Sequence, residues 1–162
     1  MRDKDFERLY ETHAEPLFSF LVYRTGNRAL AEEIMADTFE RVLRSGQKFN
    51  PRKASEKTWI YTIALNRLRD HVRREAAKER ALERAQERHL ASNPGPSPTQ
   101  VEVRDDLYRA LEGLSAEERE AIALRYGADL SVPEVAELTS DSVTTAEGRI
   151  YRALRKLRDA LD

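Results

Sequence analysis

The stretch "ASNPGPSPTQ", residues 91–100, constrains the fold more than any other segment. Its three prolines, one glycine and small polar residues can neither propagate a helix, complete a sheet ladder nor bury apolar surface. It reads as a linker. The chain therefore divides into two small domains, residues 1–90 and 101–162, each long enough to enclose a core of its own. Both flanks place apolar residues three and four apart, and neither shows sustained period-2 alternation. The predicted class is all-α, with two small helical domains.

In the first domain Phe6, Leu9, Tyr10, Leu17, Phe18, Leu21 and Val22 recur at helical spacing, with Pro16 expected to kink or break the helix. Asn27 is a good N-cap for a second helix, which carries Leu30, Ile34, Phe39, Val42 and Leu43 mainly on one side. After the basic loop "KFNPRKASEKT", the segment "WIYTIALNRLRDHVRRE" resumes a helix whose inner face should include Ile60, Ile63, Ala64 and Val72. Residues 75–90 are almost wholly Ala, Glu, Arg and Lys, and should form a helix with little apolar face that frays into the linker.

In the second domain Leu107, Leu111 and Leu114 form a helical stripe. Ser115 with Glu118, and Ser131 with Glu134, have the spacing of capping boxes, and Pro133 suits a first helical turn. "SVPEVAEL", a short turn "TSD" and a long helix after Ser142 have the proportions of a helix-turn-helix. On that last helix Val143, Ala146, Ile150, Leu154 and Leu157 should face inward. Thr144, Thr145, Gly148, Arg149, Arg152, Arg155 and Lys156 lie opposite, with Tyr151 at the edge.

Charge is abundant but unevenly placed. Residues 1–90 hold 19 Lys and Arg against 15 Asp and Glu, a net of +4, while 91–162 hold 9 against 14, a net of −5. Between 44 and 74 there are nine basic residues and two acidic ones, an excess that suits a polyanion such as nucleic acid. With no cysteine and three scattered histidines, a disulfide framework or thiolate metal site is excluded, and no cofactor is expected. No phosphate-cradling glycine loop or nucleophile motif suggests an enzyme. The start, "MRDKDFERLYETH", lacks an apolar stretch and no run approaches a membrane span, so a cytoplasmic protein without membrane insertion is expected.

Two stretches carry a resemblance. "ALAEEIMADTFERVLRSGQKFNPRKASEKTWIYTIALNRLRDHVRRE" resembles the second conserved region of bacterial extracytoplasmic-function sigma factors, and "LSAEEREAIALRYGADLSVPEVAELTSDSVTTAEGRIYRALRKL" resembles their fourth. The resemblance implies a non-enzymatic subunit that binds core RNA polymerase, recognises promoter DNA at the upstream-ten and upstream-thirty-five elements, helps open the duplex, and is masked by an anti-sigma factor. It places polymerase docking on Glu33 and Asp37, with Ala36 where the family usually has glutamine. Asn66 matches the family's base-contacting asparagine, and Arg52, Lys53, Lys57, Arg67, Arg69, Arg73 and Arg74 are positioned to hold the strand through phosphates. Trp59 and Tyr61 invite a stacking role, although a tryptophan beside Ile60 and Ile63 suits a core.

For the upstream-thirty-five element the implied contacts are Thr144, Thr145, Glu147, Gly148, Arg149, Tyr151, Arg152 and Arg155. Glu147 and Gly148 depart from the family pattern, standing where a basic residue and a serine are usual. Two other readings stay open. One is a regulatory protein that binds polymerase or an anti-sigma factor with weakened DNA recognition; the other is a helix-turn-helix regulator that does not join polymerase, against which the region around Glu33 and Asp37 argues.

Overall fold

In the computed structural model, residues 2–85 and 105–162 are described, and they are helical with no strand among them. The expected linker and the end of the preceding tail lie outside the described residues. Three helices make the first unit: α1 (Asp3–Thr25), α2 (Arg28–Ser45) and α3 (Glu56–Ala85). Contrary to expectation, α1 runs through Pro16. A proline inside a helix costs about 3 kcal/mol, and the full burial of Leu17, Phe20 and Leu21 just beyond it, at roughly 1.5–3 kcal/mol each, offsets that.

The chain reverses at Gly26, whose left-handed φ of 65° lets its N–H reach the Val22 carbonyl at 2.8 Å. Asn27 then caps α2, its Oδ1 accepting from the Leu30 N–H at 3.1 Å. Ser55 does the same for α3, accepting from the Thr58 N–H at 3.1 Å. Arg8 of α1 donates twice to the Glu56 carboxylate, at 2.6 and 3.1 Å, tying α1 to the first turn of α3.

The core of this unit is Leu9, Leu17, Phe20 and Leu21 from α1, Ala31, Ile34, Phe39 and Val42 from α2, and Ile60, Tyr61, Ala64, Leu65 and Leu68 from α3. Val72 does not join it; at 52% exposure it lies beyond the last buried position of α3, Leu68, and residues 73–85 continue as an exposed helix. Leu43 and Tyr10, also placed on apolar stripes by their spacing, are largely exposed.

The second unit contains α4 (Asp105–Glu112), α5 (Ala116–Ile122), a π-helical turn (Ala123–Gly127), α6 (Val132–Thr139) and α7 (Val143–Leu161). Both capping boxes form. Glu118 and Ser115 exchange backbone-to-side-chain bonds at 3.1 Å, and the Ser131 N–H reaches Glu134 at 3.0 Å while the Glu134 N–H reaches Ser131 at 3.4 Å. The turn between α6 and α7 is a Schellman motif: the Asp141 N–H bonds to the Ala136 carbonyl at 2.9 Å and the Ser140 N–H to that of Glu137 at 3.3 Å. Ser140 takes the left-handed position, φ 58°, where glycine is usual. Ser142 then caps α7, accepting from the Thr145 N–H at 3.1 Å.

Helix α7 lies among α4, α5 and α6 and buries Ala146, Ile150 and Ala153, with Leu157 half-buried. Val143 and Leu154, assigned to the inner face by their spacing, are 44% and 37% exposed. The large apolar residues centred the expected stripe too far to one side: the buried face of α7 runs through Ala146, Ile150 and small Ala153 instead. Buried side chains of the two units form one continuous apolar cluster, with α1 against the π-helical turn and α3 against α6.

Relieving the left-handed serine outweighs the added chain freedom of glycine, so Ser140→Gly should raise unfolding free energy by about 0.5–1 kcal/mol. Urea denaturation checks this; an unchanged or lower midpoint shows that Ser140 is not strained.

Candidate nucleic-acid and polymerase interface

The buried face of α3 decides what its other face presents. With Ile60, Tyr61, Ala64, Leu65 and Leu68 turned inward, Asn66, Asp70, Arg73 and Arg74 are exposed and Arg67 is half-buried at the margin. The Asn66 amide has no hydrogen-bond partner among the described residues, which leaves its donors and acceptors available. Arg67 links two shallow depressions. One is lined with Asp37, Glu40, Arg41 and Arg44 of α2, the other with Asp70, Arg73 and Arg74 of α3. Arg73 pairs with Asp70 and Arg44 with Glu40, so Arg41, Arg67 and Arg74 are the uncommitted cations of this tract among the described residues.

Glu33 is exposed and Asp37 half-buried one helical turn later, and neither forms an ion pair among the described residues. Their neighbour Glu32 pairs with Arg28 at 3.6 Å. The acidic turn of α2 thus adjoins the arginine tract through Asp37. Spacing alone did not single out Arg41, although it stands four residues after Asp37, where a helix brings the two to one face.

Arg52 and Lys53 are exposed on the loop before α3, which is shaped by Asn50: its Oδ1 accepts from the Arg52 N–H at 3.0 Å. Trp59 is half-buried, its ring 4.9 Å from that of Phe49 and packed against the core. Tyr61 is fully buried, edge-on to Phe20 with centroids 5.3 Å apart, and offers no surface for a base to stack on.

On α7, Thr144, Thr145, Glu147, Tyr151, Arg152 and Arg155 are exposed, Tyr151 at 68%. Gly148 is half-buried because the Arg152 guanidinium folds over it; a Cβ there would stand 3.2 Å from Arg152 Nη1. Arg149 is half-buried and paired with Asp141 of the preceding turn. Lys156 is bound to the capping carboxylate of Glu118 at 2.9 and 3.1 Å, joining α5 to α7. Lys156 and the Ser115 N–H hold the Glu118 carboxyl below its ordinary range, and the Ser131 N–H and hydroxyl do the same for Glu134.

Lys57 and Arg69 differ from the other cations of α3: both are half-buried and reach the second unit. The Lys57 ammonium stands 3.5 Å from the Asp129 carbonyl, and the Arg69 guanidinium donates to the Leu138 carbonyl at 3.2 Å. Arg69 is also 3.8 Å from Glu120, to which Arg24 of α1 donates at 3.4 Å. The Thr58 hydroxyl donates to Glu134 at 3.0 Å.

Two family matches cover these surfaces: Sigma-70 region 2 over residues 9–78 and Sigma-70 region 4 over residues 104–157. A helical chain carrying both in this order is a sigma factor of the sigma-70 class. It is similar to the RNA polymerase sigma factor CarQ of Myxococcus xanthus, at 31% identity over 96% of this chain and 88% of that protein. The ECF RNA polymerase sigma factor BldN of Streptomyces coelicolor is 27% identical over 94% of this chain, which spans 58% of BldN's length. Among solved structures, that of CnrH in complex with the cytosolic domain of CnrY superposes with a TM-score of 0.70 at 26% identity, covering 99% of this chain and 90% of CnrH. The chain belongs to the extracytoplasmic-function RNA polymerase sigma factors.

Two outcomes follow from the α7 geometry. Arg149→Ala should cost about 1–2 kcal/mol of stability because it strands the half-buried Asp141 carboxylate, whereas Arg152→Ala should stay within about 0.5 kcal/mol. Equal losses in thermal melts would show that the Asp141 pair does not hold the turn. The depressed carboxyls predict a pH dependence. An unfolded chain binds protons at Glu118 and Glu134 near 4.5 before the folded chain does, so their stabilisation is present above that pH and is lost as pH falls below it. Urea midpoints measured downward from pH 6 should fall below about 4.5, and Glu118→Gln should flatten the fall; an identical profile in the variant refutes the assignment.

Proposed function

We propose that this chain directs core RNA polymerase to specific promoters and assists their opening. In this reading residues 1–90 form the region 2 domain that binds polymerase and the upstream-ten element, residues 91–100 the linker, and residues 101–162 the region 4 domain that reads the upstream-thirty-five element. The observation that carries it is the exposed Asn66 amide, unpartnered among the described residues and set on one helix with Arg67, Arg73 and Arg74. An amide reads the edge of an unstacked base while the arginines hold phosphates on either side. Glu33 and Asp37 dock on basic groups of the polymerase, and Arg52, Lys53, Lys57 and Arg69 extend the phosphate track.

On α7, Thr144, Thr145, Tyr151, Arg152 and Arg155 supply base and phosphate contacts, and exposed Glu147 accepts from a cytosine amino group. Gly148 leaves room for the Arg152 guanidinium to lie against the helix, and Arg149 orients the helix through Asp141 before it contacts a base. A further partner in this reading is an anti-sigma factor; the similar CnrH was solved in complex with another protein, the cytosolic domain of CnrY. No described helix is long and apolar enough to cross a membrane, which suits a chain that works with polymerase in the cytoplasm.

The test is transcription from genomic promoter fragments by purified core polymerase with and without the chain. New start sites are expected. Binding to core without start sites would replace this reading with that of a regulatory interaction protein, and site-specific DNA binding without core association would indicate an autonomous regulator. Asn66→Ala should reduce promoter opening, read by permanganate reactivity, on the order of tenfold while leaving closed-complex affinity nearly unchanged. Equal losses in both would remove Asn66 from base capture.

A further inference from the structure

Beyond Leu68, its last buried residue, α3 runs on as a helix to Ala85, and every residue from 72 to 85 is exposed. At 1.5 Å per residue this is about 20 Å of helix that buries no side chain in the core. Its alanines, glutamates and arginines favour the helix, and Lys78 pairs with Glu75 at 3.3 Å. Neither fact accounts for how the remaining charges are arranged.

With about 100° of rotation per residue, Arg73, Arg80 and Arg84 fall within about 40° of Asn66, the amide proposed to read a base. Glu75, Glu79 and Glu83 fall about 100° to 180° away, on the other side of the rod. The carboxylate on the Asn66 side, Asp70, is paired with Arg73. Arg80 and Arg84 form no ion pair among the described residues; the Arg80 Nε donates to the Ala76 carbonyl of its own helix at 3.3 Å, and its other donors are unbound there. Like charges thus stand four residues apart on both sides, Arg80 with Arg84 and Glu75 with Glu79 with Glu83, a spacing that weakens an isolated helix. Interspersed signs keep a helix soluble without that cost, so solubility alone does not explain the sorting.

The cationic side continues the Asn66 surface, and its chemistry fits phosphate. Val72 and Leu82 are the large apolar side chains of this stretch, ten residues apart, and offer too little hydrophobic surface to hold a protein partner. A straight helix matches a partner that is straight over the same length. Duplex DNA, with a persistence length of about 50 nm, meets that condition, whereas an unstacked strand does not follow a rod. From Arg73 to Arg84 is about 16 Å, the rise of roughly five phosphates along one strand of a duplex. The region 2 match ends at residue 78 and assigns nothing to Arg80 or Arg84.

We infer that the exposed continuation of α3 is a further DNA-binding surface, on which Arg80 and Arg84 hold backbone phosphates of the duplex that adjoins the strand captured at Asn66. The inference rests on the proposed strand-binding role of α3. These contacts carry no base information and set where the boundary between duplex and open strand sits on the protein.

The test uses the full chain bound to core polymerase and three fluorescent probes that share the single-stranded upstream-ten segment of a promoter mapped with the wild-type chain. One probe is that segment alone; the others continue into duplex on its upstream or its downstream side. Affinities are measured across a range of salt concentrations. Arg80→Gln and Arg84→Gln retain helix propensity, and each should lower the magnitude of the salt slope by about 0.9 on one duplex-bearing probe, about 1.8 together, with the bare segment unaffected. Arg80→Lys with Arg84→Lys should keep the wild-type slope, because an ammonium also binds a phosphate. Lys78→Gln removes one charge from the same stretch on another side and should leave the slope unchanged.

An unchanged slope in the glutamine variants would leave a solvated face, and weakened binding to core without DNA would make this a polymerase contact; either overturns the inference. A loss shared by the bare segment or by Lys78→Gln overturns it too. Failure of the proposed function reads differently: the wild-type complex then neither binds the bare segment nor yields promoter start sites.

Discussion

The packing of α3 against α1 and α2, centred on Tyr61 lodged edge-on against Phe20, is the contact on which the rest of the molecule depends. A helix has one orientation about its own axis, so burying Ile60, Tyr61, Ala64, Leu65 and Leu68 also determines that Asn66, Arg73 and Arg74 face solvent. The Tyr61 hydroxyl is buried with no partner among the described residues, at a cost of about 1–3 kcal/mol. Burial of its ring and the aromatic contact exceed that cost, and burial pushes the phenol well above its ordinary pKa, so it stays neutral.

In the second unit, residues that end or begin helices also join them. Glu118 closes the N-terminus of α5 and its carboxylate then binds Lys156 of α7; Glu134 closes that of α6 and then receives Thr58 from α3. Asp141 completes the Schellman turn with its backbone and anchors Arg149 with its side chain. The local signals that make these helices start therefore also set how they cross. A change at a cap alters α7's position as well as helix length.

These couplings explain which parts of the molecule were legible in the chain. Caps at Asn27, Ser115 and Ser131 were readable because a cap involves residues at most three apart. The cationic character of α3 was readable as well, being a matter of which residues occur and at what spacing. Continuity of α1 through Pro16 was not, since buried neighbours on other helices outweigh a local breaker. Nor was the inner face of α7: it follows from three surrounding helices, so small Ala153 is buried and larger Val143 and Leu154 are not.

The same division holds for function. Sequence by itself determined the all-α class, the two matched sigma regions, the helix starts, and the residue types along each helix, because these depend on composition and on spacings within one or two turns. Tertiary structure alone decided that Asp37 adjoins the arginine tract through Arg67, that Arg149 is engaged by Asp141, and that Lys57 and Arg69 are turned toward oxygens of the second unit. The first and last depend on where one helix lies against another, and the Arg149 pair on the turn that sets Asp141 beside α7. The hydrogen bonds between the units join residues 69 to 96 positions apart, a separation that no local pattern encodes.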